Sequence, residues 1–275
     1  MQPEFFEVGS GAAARSIAVR RRVAALARPG IARPGVIWPG VIWLGGYRSD
    51  MTGGKAQAVD AWCASQGLAC CRFDYSGHGE SGGAFADGTI SRWLEESLCV
   101  FDRFTAGPQI LVGSSMGCWI ALRMAQELAK SGGGARLAAM VLIAPAPDFT
   151  ERLIWPQLSQ AQKQRIETTG RLEEPSDYSP EPNVYTRALF EDGRANLVMD
   201  GELRTFCPVH IVQGRLDPDV PWRHAVELAS LIASDDLTMT LVPDGDHRLS
   251  RPQDIALILR ALDRLASAPP PADGQ

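Results

Sequence analysis

The residues best suited to chemistry in this 275-residue chain begin at Gly113-Ser114-Ser115-Met116-Gly117, which fits the spacing G-x-S-x-G with Ser115 at its centre. An apolar run of strand length, 109–112, ends just before it, and a helix-period segment, 116–130, begins just after. In that setting a sharp strand-to-helix turn pushes the central side chain out above a sheet, and a Cβ two positions to either side would clash. Ser115 is therefore expected to be a nucleophile held exposed for attack. The Met116 N–H, at the positive end of the following helix, is expected to point where an oxyanion would form.

A serine hydroxyl attacks poorly until a base takes its proton, and that base needs a carboxylate to orient it, so this reading demands an acid and a histidine after the serine. Four histidines are present. His78 precedes the serine, His210 lies inside an expected strand, and His224 opens an expected helix. His247 alone sits between the last expected strand and the last expected helix, and it is the expected base. The loop after strand 209–213 offers Asp217 and Asp219. Asp217 is preferred because it lies nearer the strand end; Asp219 leads toward the next helix and could cap it. Asp244 and Asp246 are too close to His247 along the chain to orient it from behind, and read as turn residues. A second oxyanion donor should follow strand 41–44, where Gly45-Gly46-Tyr47 supplies a permissive backbone and the Tyr47 N–H is the candidate. Trp119, Tyr185 and Trp222, with Trp155 near them, lie close to pocket-forming elements and are the candidates to line an acyl cleft.

Such a constellation needs a sheet whose strand ends converge. Strands are expected at 41–44, 69–73, 109–112, 140–143, 209–213 and 238–242, with helices at 55–66, 91–104, 116–130, 222–232 and 252–266 between and after them. Alternation of this kind predicts an α/β fold with a mostly parallel sheet covered by helices on both faces. Segments 5–8 and 16–22 could add an antiparallel edge. The alternation fails from Asp148 to Cys207, where two weak helices, 159–168 and 186–198, flank the Pro-rich stretch 175–182. That region reads as an insertion over the C-terminal edge of the sheet, where ligands bind in open α/β folds. The expected organisation is one core from 1–147 and 208–267, a helical lid insertion at 148–207, and a disordered tail at 268–275. A five-residue repeat starting at Ala27-Arg28-Pro29-Gly30-Ile31 places a proline at every fifth position up to Pro39, so 27–40 is expected to be an extended connection.

Composition narrows the function classes. A net charge of -5, with no basic block beyond Arg20-Arg21-Arg22, argues against a nucleic-acid partner. The longest apolar runs, 36–46 and 137–147, are about half of the roughly 20 residues that a membrane span needs. The first 19 residues lack a basic start followed by an apolar run, so no secretory leader is expected and the mature protein should begin near Met1. Six cysteines without C-x-x-C spacing fit reduced, buried thiols, hence an expected cytoplasmic location and no zinc. Gly77-His78-Gly79-Glu80-Ser81-Gly82 satisfies G-x-G-x-x-G, but its glycines do not open a helix and no acidic residue follows at a strand end about 20 positions on. A tight loop beside the active site is the expected role.

From about Val41 to Leu265 the chain resembles the α/β-hydrolase superfamily, and within it most resembles the α/β-hydrolase domain-containing protein ten family. The similarity is carried by Arg72-Phe73-Asp74-Tyr75-Ser76-Gly77, by Gln109-Ile110-Leu111-Val112-Gly113-Ser114-Ser115, by Pro175-Ser176 with Tyr178-Ser179, by Val220-Pro221-Trp222 and by Asp246-His247-Arg248. The resemblance implies an α/β-hydrolase fold. It also implies serine-hydrolase activity of the kind described for that family, thioester depalmitoylation and acyl-glucuronide hydrolysis, without metal or organic cofactor. It puts Ser115, Asp217 and His247 at the nucleophile, acid and base positions, favours Asp217 over Asp219, and makes 148–207 the lid. The chain departs from the family pattern with Gly45-Gly46 where Pro-Gly precedes Tyr47, and with Cys118 where a Gly follows Gly117. No mitochondrial targeting segment of the animal kind is evident, which suggests a bacterial relative. Thioester and carboxylic-ester hydrolysis both remain open, with peptidase or carbon-carbon bond hydrolase as further enzyme alternatives. A catalytically silent binding protein of the same fold is the alternative from another class; such proteins usually lack a triad member, and this chain lacks none.

Overall fold

The computed structural model describes residues 1–25, 38–175, 182–234 and 236–267. In chain order the main elements are β1 (Glu4–Val8), β2 (Arg15–Arg22), β3 (Gly40–Leu44), α1 (Gly54–Gln66), β4 (Cys70–Phe73), α2 (Ile90–Phe104), β5 (Gln109–Ser114), α3 (Met116–Lys130) and β6 (Leu137–Ile143). Then come α4 (Gln160–Thr169), β7 (Arg171–Glu174), β8 (Asn183–Thr186), α5 (Arg187–Ala195), β9 (Val209–Gly214), α6 (Trp222–Leu231), β10 (Leu237–Val242) and α7 (Pro252–Ser267). Eight strands form one sheet in the order β1-β2-β4-β3-β5-β6-β9-β10. The pairings from β4 to β10 are parallel, while β1 and β2 add the antiparallel edge.

The central strands are buried on both faces, which is why they read as continuous apolar runs rather than as alternation. Successive side chains still sort by parity. Val41 and Trp43 join Ile110, Val112, Val141 and Ile143 in a core closed by α1 and α7. Ile42 and Leu44 join Leu111, Met140, Leu142 and Ile211 in the larger core under α2, α3 and α6. Both faces are thus covered by helices, as the alternation predicts. All six cysteines are free thiols, and all but Cys99 are buried.

The insertion differs from the expected all-helical cover. It opens with π and 3-10 turns over Thr150–Gln157, continues into α4, and then carries a two-stranded antiparallel hairpin, β7 with β8. Arg-Leu-Glu-Glu and Asn-Val-Tyr-Thr are too polar and too short to announce strands. Ladder pairing supplies what propensity does not. The insertion has a small core of its own, Ile166, Leu172 and Phe190. Its two ends are stapled together: the buried Asp148 carboxylate accepts the Val198 N–H at 2.9 Å and the Met199 N–H at 2.8 Å. Among the described residues no helix is long and apolar enough to cross a membrane. Most of the proline repeat, the stretch 176–181 and the tail 268–275 lie outside the described residues.

Candidate active site

Where β5 meets α3, Ser115 sits at φ 54°, ψ -117°, a backbone region that side-chain-bearing residues avoid. The two flanking glycines make the turn possible. A Cβ on Gly117 would come within 2.1 Å of the Leu44 carbonyl oxygen, and one on Gly113 within 2.7 Å of the Gly117 carbonyl oxygen. The Ser115 N–H donates to the Ile143 carbonyl at 2.8 Å, tying the turn to β6. Ser115 itself is partly exposed.

The structure brings Ser115, His247 and Asp217 together from three separate strand ends. His247 Nε2 lies 3.1 Å from Ser115 Oγ, and His247 Nδ1 lies 2.8 Å from Asp217 Oδ2. Asp217 is buried, and its carboxylate is fixed from three further directions. Oδ1 accepts the Asp219 and Val220 N–H groups at 2.9 and 2.8 Å, and Oδ2 accepts from Gln213 Nε2 at 3.1 Å. A carboxylate held by this many donors has one direction left in which to orient an imidazole. Asp219 supplies a backbone N–H to this arrangement, and its own carboxylate is not the one bonded to His247. The other histidines are engaged elsewhere: His210 with Thr240 Oγ1, His224 with the Pro147 carbonyl, and His78 with the Ser76 carbonyl and the Arg48 N–H. Asp246 accepts from the Leu249 N–H and Asp244 pairs with Arg251, so both serve the turn around His247.

The loop after β3 lies directly against the serine. A Cβ on Gly46 would sit 3.2 Å from the Ser114 carbonyl oxygen and 3.4 Å from Ser115 Cβ. No hydrogen bond from the Tyr47 or Met116 backbone N–H is found among the described residues. The Tyr47 ring reaches the insertion, stacking on Tyr185 with centroids 5.9 Å apart and an interplanar angle of 9°, while its hydroxyl donates to the Val184 carbonyl.

A cleft of about 500 Å³ opens over Ser115. Its roof comes from the insertion and is mainly apolar, with Phe149, Leu153, Ile154 and Tyr185 beside the polar Gln157 and Asn183. Its other flank is polar, with Arg48, Asp50, Lys55 and Arg248. Lys55 Nζ donates to the Arg248 carbonyl, and burial lowers its pKa to about 8. The aromatic expectations need correction. Tyr185 lines the cleft, but Trp119 and Trp222 do not. Trp119 is fully buried beneath it, donating from Nε1 to the Asn196 carbonyl at 2.9 Å and packing edge-on against Phe149; Trp222 lies under the Arg223 guanidinium. Trp155 packs on Phe190 within the insertion. Proximity in sequence to a pocket element does not give side-chain direction, and a tryptophan one turn into a buried helix points to the core. The apolar residues that do line the roof fall in irregular turns, where no periodicity marks a face.

Asp217, Asp219 and His247 offer ligand atoms within 4.8 Å of one another. Asp217 Oδ2 and His247 Nδ1 already face each other there, so a cation would have to break that contact to bind both. The arrangement is built for moving a proton between oxygen and imidazole.

Residues 36–257 match the alpha/beta hydrolase family. With this sheet order, a serine on the β5–α3 turn and the acid and histidine at later strand ends, the chain belongs to the alpha/beta hydrolase family and is a hydrolase. It is similar to the palmitoyl-protein thioesterase ABHD10, mitochondrial, of Homo sapiens, 34% identical over 222 residues covering 80% of this chain and 70% of that protein. The mouse protein of the same name is 36% identical over 223 residues, covering 80% and 72%. Among solved structures, a putative hydrolase from Agrobacterium vitis S4 superposes with a TM-score of 0.90 at 54% identity, covering 97% of this chain and 99% of that one. The mouse alpha/beta hydrolase domain-containing protein 10 superposes at 0.80 and 30%, covering 95% and 98%.

Proposed function

We propose that the chain hydrolyses a carboxylic thioester or ester bearing an acyl chain, through a Ser115-His247-Asp217 triad and an acyl-enzyme. The observation that carries this reading is the unbroken hydrogen-bond chain from Ser115 Oγ through both nitrogens of His247 to the dry Asp217 carboxylate. Ser115 Oγ attacks the carbonyl carbon while His247 Nε2 takes its proton, and Asp217 stabilises the imidazolium that forms. The tetrahedral oxyanion is received by the Met116 and Tyr47 N–H groups. His247 then protonates the departing thiol or alcohol, activates a water, and the acid product leaves with Ser115 restored. The apolar roof suits an acyl chain, and the similarity to proteins named palmitoyl-protein thioesterases supports a thioester as one substrate class. The insertion then acts as a lid.

In the test, Ser115→Ala should lose labelling by a fluorophosphonate and nearly all hydrolysis of a short p-nitrophenyl ester, by orders of magnitude. Retained turnover would refute the triad. Parallel kinetics on acyl thioesters and matched oxyesters of several chain lengths would then rank the two bond types.

A further inference from the structure

The loop Gly77-His78-Gly79-Glu80-Ser81-Gly82 has no part in the chemistry above, yet it carries a buried imidazole directed at the active-site loop. Residues 46–49 form a β-turn, with the Ser49 N–H donating to the Gly46 carbonyl at 3.1 Å. Arg48 occupies its third position at φ +55°, where a turn of this type ordinarily takes Gly or Asn. A side chain there is strained, and something outside the turn must hold the central peptide in place. His78 is positioned to do so. Its Nε2 lies 3.2 Å from the Arg48 backbone nitrogen, and its Nδ1 lies 3.2 Å from the Ser76 carbonyl oxygen. A carbonyl can only accept, so Nδ1 is the donor and Nε2 is left as the acceptor for the Arg48 N–H.

The surroundings fix this tautomer and orientation. His78 is 4% exposed, with the rings of Tyr75, Phe85 and Trp93 at centroid distances of 5.6, 5.0 and 5.3 Å. Burial pushes its pKa down to about 4, so the Nε2 lone pair is present at neutral pH. Asp74 adds a parallel brace between the same two loops, accepting the Met51 N–H on Oδ1 at 2.6 Å and the Glu80 N–H on Oδ2 at 2.9 Å. Gly79 has no Cβ because one would meet Asp74 Oδ2 at 2.1 Å. Gly79 thus packs against the Asp74 brace, while a Cβ on Gly77 would meet the Phe85 backbone.

We propose that His78 is a positioning residue for the oxyanion hole, holding the Arg48 peptide so that the adjoining Tyr47 N–H keeps its direction over Ser115. Tyr47 lies between two peptides. The one before it is anchored by the turn bond and by contact with Ser115, and the one after it is anchored by His78. Without the imidazole, the central peptide can flip to relieve Arg48 and the turn bond to the Gly46 carbonyl loosens; the Gly46–Tyr47 peptide, which carries the Tyr47 N–H, then loses that anchor and its fixed aim. This inference rests on the assignment of Tyr47 and Ser115 made above.

The experiment compares His78→Asn with His78→Gln. Asn reaches the Ser76 carbonyl but is too short for Arg48, whereas Gln places an amide oxygen where Nε2 stood. For H78N, kcat on a short p-nitrophenyl ester should fall about 10- to 100-fold, less than the roughly 10²–10³-fold of a donor removed outright because the Tyr47 N–H is misaimed and not lost, with KM and affinity for the carboxylate product unchanged. Affinity for an alkyl boronic acid, which mimics the tetrahedral adduct, should fall in parallel. H78Q should recover most of both losses. In an Arg48→Gly background, which removes the strain at φ +55°, H78N should cost less. Wild-type kcat in H78N, equal losses in product and boronate affinity, or no recovery in H78Q would overturn the assignment. If H78N does not fold, the same reading is taken from His78→Leu, which fills the site without an acceptor, alone and with R48G, where relief by the glycine supports it and none refutes it. Ser115→Ala separates the two levels: an inactive S115A with an unaffected H78N removes only the role of His78, whereas an active S115A removes the triad and this inference together.

Discussion

The floor and the roof of the cleft are each held by a buried titratable side chain that receives backbone N–H groups, but the two holders are of opposite kind. Under the floor, neutral His78 accepts from Arg48; in the roof, the Asp148 carboxylate accepts from Val198 and Met199. The floor is assembled from strand ends that are many residues apart, Ser115 and His247 being separated by 132 positions, and its acid is fixed by Gln213 and two backbone N–H groups. The roof is one continuous excursion with a small core of its own, meeting the floor through Tyr47 and Tyr185. Under the proposed function the reaction falls to the core and the choice of acyl chain to the insertion.

That division can be broken most forcefully at the floor. Asp217→Asn should lower kcat on every substrate by about 10⁴-fold, because the amide leaves His247 in the wrong tautomer. Asp219→Asn should stay within several-fold, since its backbone N–H is retained. A large loss in the second variant and a small one in the first would reverse the roles of the two aspartates.

The two holders should also titrate with opposite sign. Burial raises Asp148 from 3.8 to about 6, so the folded chain binds its proton more tightly than the unfolded chain does. Its contribution therefore favours folding below about pH 4 and is lost as pH rises through about 6, by up to about 3 kcal/mol at 1.4 kcal/mol per unit. His78, lowered from 6.5 to about 4, does the reverse and costs stability as pH falls across the same window. Chemical unfolding of Asp148→Asn against wild type at pH 4 and pH 6.5 should show the wild type losing stability relative to the variant as pH rises. A difference independent of pH would place the Asp148 carboxyl at its ordinary value.

At the roof, Phe149→Ala should lower kcat/KM for long acyl chains by about 10- to 100-fold, the effect of removing about 1.5–3 kcal/mol of apolar contact, while short esters change little. Equal losses on both would mean that the roof shapes the reaction centre itself. The smallest effect belongs to the contact between the two regions. Tyr47→Phe keeps the backbone N–H but removes the hydroxyl bond to Val184, worth about 1 kcal/mol, or about fivefold in turnover if roof and floor act together.

The same boundary separates what the sequence reveals from what it hides. In the core, apolar runs buried on both faces give every central strand to within a few residues, and α3 begins at Met116 because the glycine-flanked serine permits no other turn. Ser115, Asp217 and His247 are legible because each follows a recognisable strand in the required order. The roof is not legible in this way. Leu153 and Ile154 lie in a π turn that has neither helical nor strand period, with Phe149 just before it, and the hairpin of β7 and β8 has polar strands held by each other. Trp119 lies beneath the cleft rather than in it, because sequence spacing reports position along a helix and not depth beneath a pocket. His78 was visible as a residue, but its acceptor role depends on the positive φ of Arg48, which no residue type announces.

The parallel pairing of β6 with β9, Met140 beside Val209 through Ile143 beside Val212, sets the two attachment points of the insertion side by side. Everything between them is, in polymer terms, a loop whose ends are already closed. Closure entropy grows only logarithmically with loop length, and a doubling costs only about 0.6 kcal/mol. Insertions within the sixty-odd residues between Ile143 and Val209 therefore carry little closure cost, provided the side chains that this segment buries in the main core, Phe149, Leu153, Leu189, Val198 and Met199 among them, and the Asp148 staple are kept. Because Ser115, His247 and Asp217 sit on strand ends outside this segment, the proposed function makes lengthening of the roof a route from one acyl preference to another without rebuilding the reaction centre.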